Sequence, residues 1–175
     1  VAEYTYLKIL LNSAKIAFLS ATIAVLIGYP AAYFIHLSPS KYQMILLFLV
    51  MLPFWSNYLI RTYAWMVLLN NQGIINTLLI NTGIIIEPIN ILYTQSAVVI
   101  GLVYNYLPFV VLTIFSSVSK LDKNLIEASE DLGATSFSTF FKIILPLTLP
   151  GVAAGFVFVF VLSIGNFITP DLLGG

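Results

Sequence analysis

Five long stretches of this chain carry no charged side chain: residues 16–40, 42–60, 62–86, 88–119 and 143–170. A helix needs about 20 apolar residues to cross a hydrocarbon core about 30 Å thick, and these stretches are of that order. Lipid offers no partners to backbone polar groups, so only helices or closed barrels can span it. The apolar runs at 16–27 and 44–52 lack the alternation of a barrel strand, which leaves helices. Composition agrees. Charged residues make up 8 % of the chain and hydrophobic ones 60 %, against roughly 25 % charged in a soluble domain. The expected fold is all-α, a polytopic integral membrane protein.

Four spans follow from the gaps: A at about 9–36, B at about 43–69, C at about 95–117 and D at about 143–165. Residues 70–94 are broken by Asn70-Asn71-Gln72-Gly73, Asn81-Thr82-Gly83 and Glu87-Pro88. They read as a loop carrying a short interfacial helix over 74–80. Lysines set the orientation. Lys41 lies between A and B, and Lys120, Lys123 and Lys142 lie between C and D, so these connections are expected in the cytoplasm. On the other side stand Lys8 and Lys15, the latter with its stem buried and its charge turned outward. His36 falls at the cytoplasmic interface. The chain starts at Val1 rather than Met and stops just after span D, so truncation at both ends is expected.

Several functions are excluded at this level. The seven Lys/Arg and seven Asp/Glu cancel, leaving no basic face for nucleic acid. The absence of cysteine and a single histidine argue against a thiolate or imidazole metal site and against a nucleophile–histidine triad. No catalytic residue and no metal site are therefore expected. The chain has no G-x-x-x-x-G-K-[ST] loop, so it binds no nucleotide by that route.

The connection over 118–142 holds the densest charge in the chain. Ser119 with Asp122 three residues on suggests a capping-box variant. Leu121, Leu125, Ala128 and Leu132 then repeat at helical spacing, while Glu127, Glu130 and Asp131 share another face. Gly133 stands where a helix C-cap wants a positive φ. Thr135 or Ser136 can cap a second helix that puts Phe137, Phe140, Phe141 and Ile144 on one stripe. The expectation is an amphipathic helix–Gly–helix element lying against the membrane. Composition alone allows it to be a solvated loop.

Glu127-Ala128-Ser129, Gly133, Ile144-Leu145-Pro146 and Leu149-Pro150-Gly151 resemble the EAA-loop signature of ABC importer permeases, with Ser129 in place of the usual second alanine. Gly28-Tyr29-Pro30-Ala31-Ala32-Tyr33, Leu52-Pro53-Phe54-Trp55, Ile60-Arg61-Thr62-Tyr63-Ala64-Trp65 and Asp131-Leu132-Gly133-Ala134 look like the spermidine/putrescine branch of that family. The resemblance implies a transport subunit that is not itself an enzyme, set in the inner membrane. It binds no cofactor, and ATP is used by a separate ATP-binding subunit. The contact with that subunit would fall on Glu127, Ala128, Ser129, Asp131 and Gly133, with Leu145 and Pro146 fixing where span D re-enters. The other implied partners are a second permease subunit in a heterodimer, an external substrate-binding protein and membrane lipid. Polyamine is the substrate the resemblance implies. Ferric ion or a small anion in the same role stays open, as does an ion-coupled carrier.

Inside the spans, Tyr104, Asn105 and Tyr106 form a polar and aromatic group beside Pro108, about 14 Å into span C at about 1.5 Å per residue. An amide at that depth is costly unless it faces protein or water. These three are the candidates for the substrate path. Arg61 comes out about 27 Å along span B, near the outer surface. There it can snorkel among Tyr58, Tyr63 and Trp65 or, with Glu87 and Asp171, face the binding protein.

Overall fold

The computed structural model describes residues 2–174, with side chains described from residue 6. Nine α-helices, a 3₁₀ turn and a π turn occupy those residues, and no strand is present among them. Three helical stretches are long and apolar enough to cross a membrane: Tyr6–Leu37, Gln95–Val118 and Ser136–Ile164. They correspond to α1 (Ala2–Leu37), α5 (Gln95–Val118) and the run through α7 (Ser136–Thr139), a π turn (Phe140–Ile144) and α8 (Leu145–Ile164). These three pack on one another to form the core.

The packing surfaces are small. On α1 the buried stripe is Ala17, Ser20, Ala21, Ala24, Gly28 and Ala32, while Leu10, Leu26 and Phe34 point outward. On α8 it is Thr148, Gly151, Gly155, Val159 and Ser163. Lipid is as apolar as leucine, so burying large side chains between helices gains little; small residues that let backbones close up gain contact instead. A Cβ on Gly151 would stand 2.7 Å from the Thr113 carbonyl oxygen, and one on Gly155 2.7 Å from Thr113 Oγ1. Tyr29 adds a hydrogen bond across the bundle to Thr148 Oγ1 at 2.8 Å. Gly151→Val is therefore expected to push α8 off α5 and cost about 1–3 kcal/mol. Thermal unfolding in detergent measures this. Gly165→Ala, whose nearest new contact would be at 3.9 Å, serves as the neutral control.

Span B departs from expectation. Residues 43–69 are not one helix but α2 (Ser40–Met51), a 3₁₀ turn (Leu52–Trp55) and α3 (Tyr58–Leu69), with the chain bent by 88° at the break. Pro53 cannot donate to the preceding turn and its ring crowds the carbonyl there. Ser56 closes the turn onto the Pro53 carbonyl, and the Asn57 side chain accepts from the Leu59 N–H to start α3 afresh. Span D departs too. The predicted second helix of the connection is continuous with it, through a π turn in which the Leu145 N–H reaches the Phe140 carbonyl. Pro146, in the first turn of α8, has no N–H for the Lys142 carbonyl, and the wider turn absorbs the defect.

The 70–94 segment holds α4 (Ile74–Asn81). Buried Asn76 organises it, donating to the Asn70 and Ile89 carbonyls and accepting from the Ile89 N–H. The Tyr93 N–H bonds the Leu173 carbonyl, tying this loop to α9 (Ile168–Gly174), which packs on α3 and α5.

Candidate functional site

Two places gather the predicted residues. The first is the connection between α5 and α8. Its helix α6 (Lys123–Asp131) is capped by Asp122, whose carboxylate accepts from the Asn124 N–H at 2.9 Å. The expected Ser119 cap is displaced, because Ser119 Oγ bonds back to the Phe115 carbonyl and finishes α5 instead. At the far end the chain leaves by a Schellman turn. The Ala134 N–H reaches the Ser129 carbonyl at 3.0 Å and the Gly133 N–H the Glu130 carbonyl at 2.8 Å. Gly133 takes φ +79°, the left-handed conformation expected of it. Thr135 caps the next helix.

Glu127, Ala128, Glu130, Asp131 and Gly133 are exposed. Ser129 is not. It is buried, with its hydroxyl bonded to the Ile126 carbonyl and to Thr139 Oγ1, each at 2.8 Å. Its place is between α6 and α7, holding the angle of the turn, and not on an outer docking face. The aromatic stripe also divides. Phe140 packs edge-on against Tyr29 and Tyr33, and Ile144 is buried, whereas Phe137 and Phe141, whose rings meet, stay exposed, as does Leu132. Leu145 is half-buried against the core and Pro146 is exposed. The element therefore presents acidic groups and bare apolar side chains on one rigid turn.

The second place is the break in span B. Arg61 is 7 % exposed, which corrects the expectation of a surface residue facing a binding protein. Its Nη1 donates to the Pro53 carbonyl at 2.8 Å and the Ser56 carbonyl at 3.1 Å, and its Nε to Asn105 Oδ1 at 3.2 Å. The guanidinium lies over the Phe54 and Tyr58 rings. A length counted along a straight helix placed Arg61 at the surface; the bend folds it back into the protein. There it satisfies carbonyls that the break leaves open. Glu87 and Asp171 are exposed, on the loop and on α9 that the Tyr93–Leu173 bond joins.

Tyr104, Asn105 and Tyr106 do not form one cluster. Successive helical residues point about 100° apart, and each finds a different neighbour. Tyr104 meets Trp65 edge-on. Asn105, 1 % exposed, faces Arg61 and leaves its Nδ2 unpartnered. Tyr106 OH accepts from Asn166 Nδ2 at 2.8 Å. Asn166 also donates to Tyr58 OH, which shares a hydrogen with Thr169 Oγ1, and its Oδ1 accepts from the Thr169 N–H. Beside this network lies a cleft of about 370 Å³ lined by Tyr58, Tyr106, Asn166 and Phe167. Sequence reasoning passed over Asn166, the one amide in the 143–170 stretch, because it falls just past the end of span D and not at the depth that singled out Asn105.

Comparison with known proteins gives the family. The family described as binding-protein-dependent transport system inner membrane component matches residues 24–175. The spermidine/putrescine transport system permease protein PotB of Haemophilus influenzae is 49 % identical over 170 residues, 97 % of this chain and 59 % of that protein. PotB of Escherichia coli is 45 % identical over the same share of this chain and 62 % of its own length. This chain thus spans about three-fifths of these relatives. Among solved structures, a bacterial ABC transporter involved in import of the acidic polysaccharide alginate superposes with a TM-score of 0.64 at 19 % identity, covering 89 % of this chain and 57 % of that one. That likeness concerns the fold. The family match, the relatives and the helix–Gly turn off a small-residue bundle agree: the chain belongs to the family of binding-protein-dependent transport system inner membrane components.

Proposed function

We propose that this chain is the membrane-spanning part of an inner-membrane subunit of an ATP-driven polyamine importer. The observation that carries it is its identity to two permeases named for spermidine and putrescine, running through nearly all of this chain. The exposed face of α6 supports a coupling role. Glu127, Ala128, Asp131 and Gly133 would meet a separate ATP-binding subunit, with Leu145 and Pro146 setting the entry of α8. Ser129 acts from behind that face. A second permease subunit and an external binding protein complete the assembly, the latter meeting the end that carries Glu87 and Asp171.

For the substrate path, the Tyr58–Tyr106–Asn166 cleft of about 370 Å³ is a better candidate than the cleft of about 200 Å³ beside Asn105, whose amide is buried against Arg61. Aromatic faces and phenol oxygens attract an ammonium group without holding it tightly. An ion-coupled carrier is disfavoured because the predicted spans contain no carboxylate and His36 lies at the very end of A.

The direct test is uptake into proteoliposomes holding the full-length protein with its partner subunits. Spermidine or putrescine is expected to accumulate only with ATP and binding protein. Accumulation of ferric ion or an anion in place of polyamine would reassign the substrate, and uptake driven by an ion gradient without ATP would overturn the class. Topology is checked separately. Residues 1–175 contain no cysteine, so single cysteines at Asn124 and Asn81 report topology in a full-length protein whose other cysteines are replaced. The first is expected to label only from the cytoplasm and the second only from outside; the reverse pattern would remove the ATPase contact.

A further inference from the structure

At the end of the bundle away from the α5–α8 connection, which the proposed topology places outside, α1 and α5 leave a groove between them. The mouth, about 490 Å³, is lined by Lys8, Ile9, Leu11, Asn12, Lys15 and Gln95. It runs on through Lys15 and Gln95, which line both parts, into a channel of about 340 Å³ walled by Leu19, Ile23, Val99 and Ile100. Gln95 Nε2 donates to Asn12 Oδ1 at 3.1 Å, clipping the two helices together at the boundary. Lys8 and Lys15 are two helical turns apart, so they share one face of α1. Both are exposed.

The depth of this boundary follows from helix rise. From Leu37 back to Lys15 is about 33 Å and from Val118 back to Gln95 about 35 Å, at about 1.5 Å per residue. Each distance slightly exceeds a hydrocarbon core about 30 Å thick. The cationic mouth thus lies at headgroup level, and the apolar channel below it lies at acyl-chain level. Among the described residues lining the groove both charges are cationic and no carboxylate is present.

We propose that this groove is a binding site for an anionic glycerophospholipid of the outer leaflet. The phosphate sits between Lys8 and Lys15, and one acyl chain lies along Leu19, Ile23, Val99 and Ile100. Charge complementarity selects the anion, and the apolar continuation selects a lipid over free phosphate, which needs only the mouth. The site rests on the membrane-spanning placement of α1 and α5, whatever the transported substrate is.

The test is native mass spectrometry of the full-length protein in its purified complex, titrated with dioleoyl phosphatidylglycerol or dioleoyl phosphatidylcholine. Each basic residue near an anionic headgroup contributes about fivefold in affinity. The double variant Lys8→Gln/Lys15→Gln is therefore expected to bind phosphatidylglycerol at least about tenfold more weakly, with phosphatidylcholine unchanged. Lys15→Arg keeps the charge and should keep the lipid. Leu19→Trp narrows the channel, leaves both lysines in place, and should also reduce phosphatidylglycerol binding. Equal binding by wild type and the double variant would overturn the site. So would displacement of the lipid by millimolar inorganic phosphate, which marks a headgroup-only contact, or a wild type that binds no phosphatidylglycerol because protein fills the groove.

Discussion

Uptake by a Gly133→Val protein is expected to fall at least about tenfold, while Gly133→Asn keeps most of it and Gly133→Ala lies between. The ordering comes from backbone conformation alone. Gly133 holds φ +79°, and a Cβ built there meets nothing within 4 Å, so no variant clashes with a neighbour in this chain. An L residue in the left-handed region costs about 1–2 kcal/mol, more when β-branched, whereas asparagine tolerates it. Every 1.4 kcal/mol is about tenfold in population. If valine drives the backbone out of this conformation, the Ala134–Ser129 and Gly133–Glu130 bonds break together, and α6 loses its fixed angle to α7. The Ser129–Thr139 bond goes with them. Transport-coupled ATP hydrolysis should fall in parallel with uptake. Membrane insertion should not change, since the α1–α5–α8 core contains none of these groups. Normal ATP-driven uptake by Gly133→Val would separate this turn from coupling.

The same turn shows what local sequence chemistry can reach. A glycine that takes positive φ and a hydroxyl that caps the next helix both act within a few residues; Gly133 stands where the pattern put it, and of the two candidate caps Thr135 and Ser136 it is Thr135 that caps. The large spans were legible for a different reason: charge is so costly in lipid that its absence alone outlines α1 and α5. Continuity was not legible. A charge-free stretch looks the same whether its helix runs straight or breaks, and Pro53 was compatible with a simple kink. The decisive partner of the break is Asn105, which is 44 positions away from Arg61 along the chain. Ser129 makes the complementary point. The resemblance placed it with Ala128 at the contact with the ATP-binding subunit, but whether it faces outward depends on the angle between α6 and α7, which no single-helix pattern contains. Adjacency misled at Tyr104–Tyr106, because neighbours in a helix are not neighbours in space.

Arg61→Ala is expected to be the most damaging single change for assembly, at about 3 kcal/mol or more. The guanidinium makes three hydrogen bonds to neutral oxygens: the Pro53 and Ser56 carbonyls and Asn105 Oδ1. Hydrogen bonds to a charged group are worth about 1.5–3 kcal/mol each, and interhelical polar contacts in membranes about 0.6–2 kcal/mol. Removing Arg61 leaves the carbonyls of the broken span and both ends of the Asn105 amide without protein partners. Arg61→Lys keeps a cation near Phe54 but not the planar fork that reaches both the break and α5, so it should recover only part of the loss. Asn105→Leu loses one contact and also removes the orphaned Nδ2, so about 0.6–2 kcal/mol is expected. The double variant Arg61→Ala/Asn105→Leu should cost less than the sum of its parts, because Asn105 has no partner left to lose once Arg61 is gone. Thermal unfolding of the purified complex gives all four values of the cycle. Strict additivity would mean that Arg61 and Asn105 do not act as a unit. A stable Asn105→Leu protein with impaired uptake would return that residue to the substrate path, against its burial between α3 and α5.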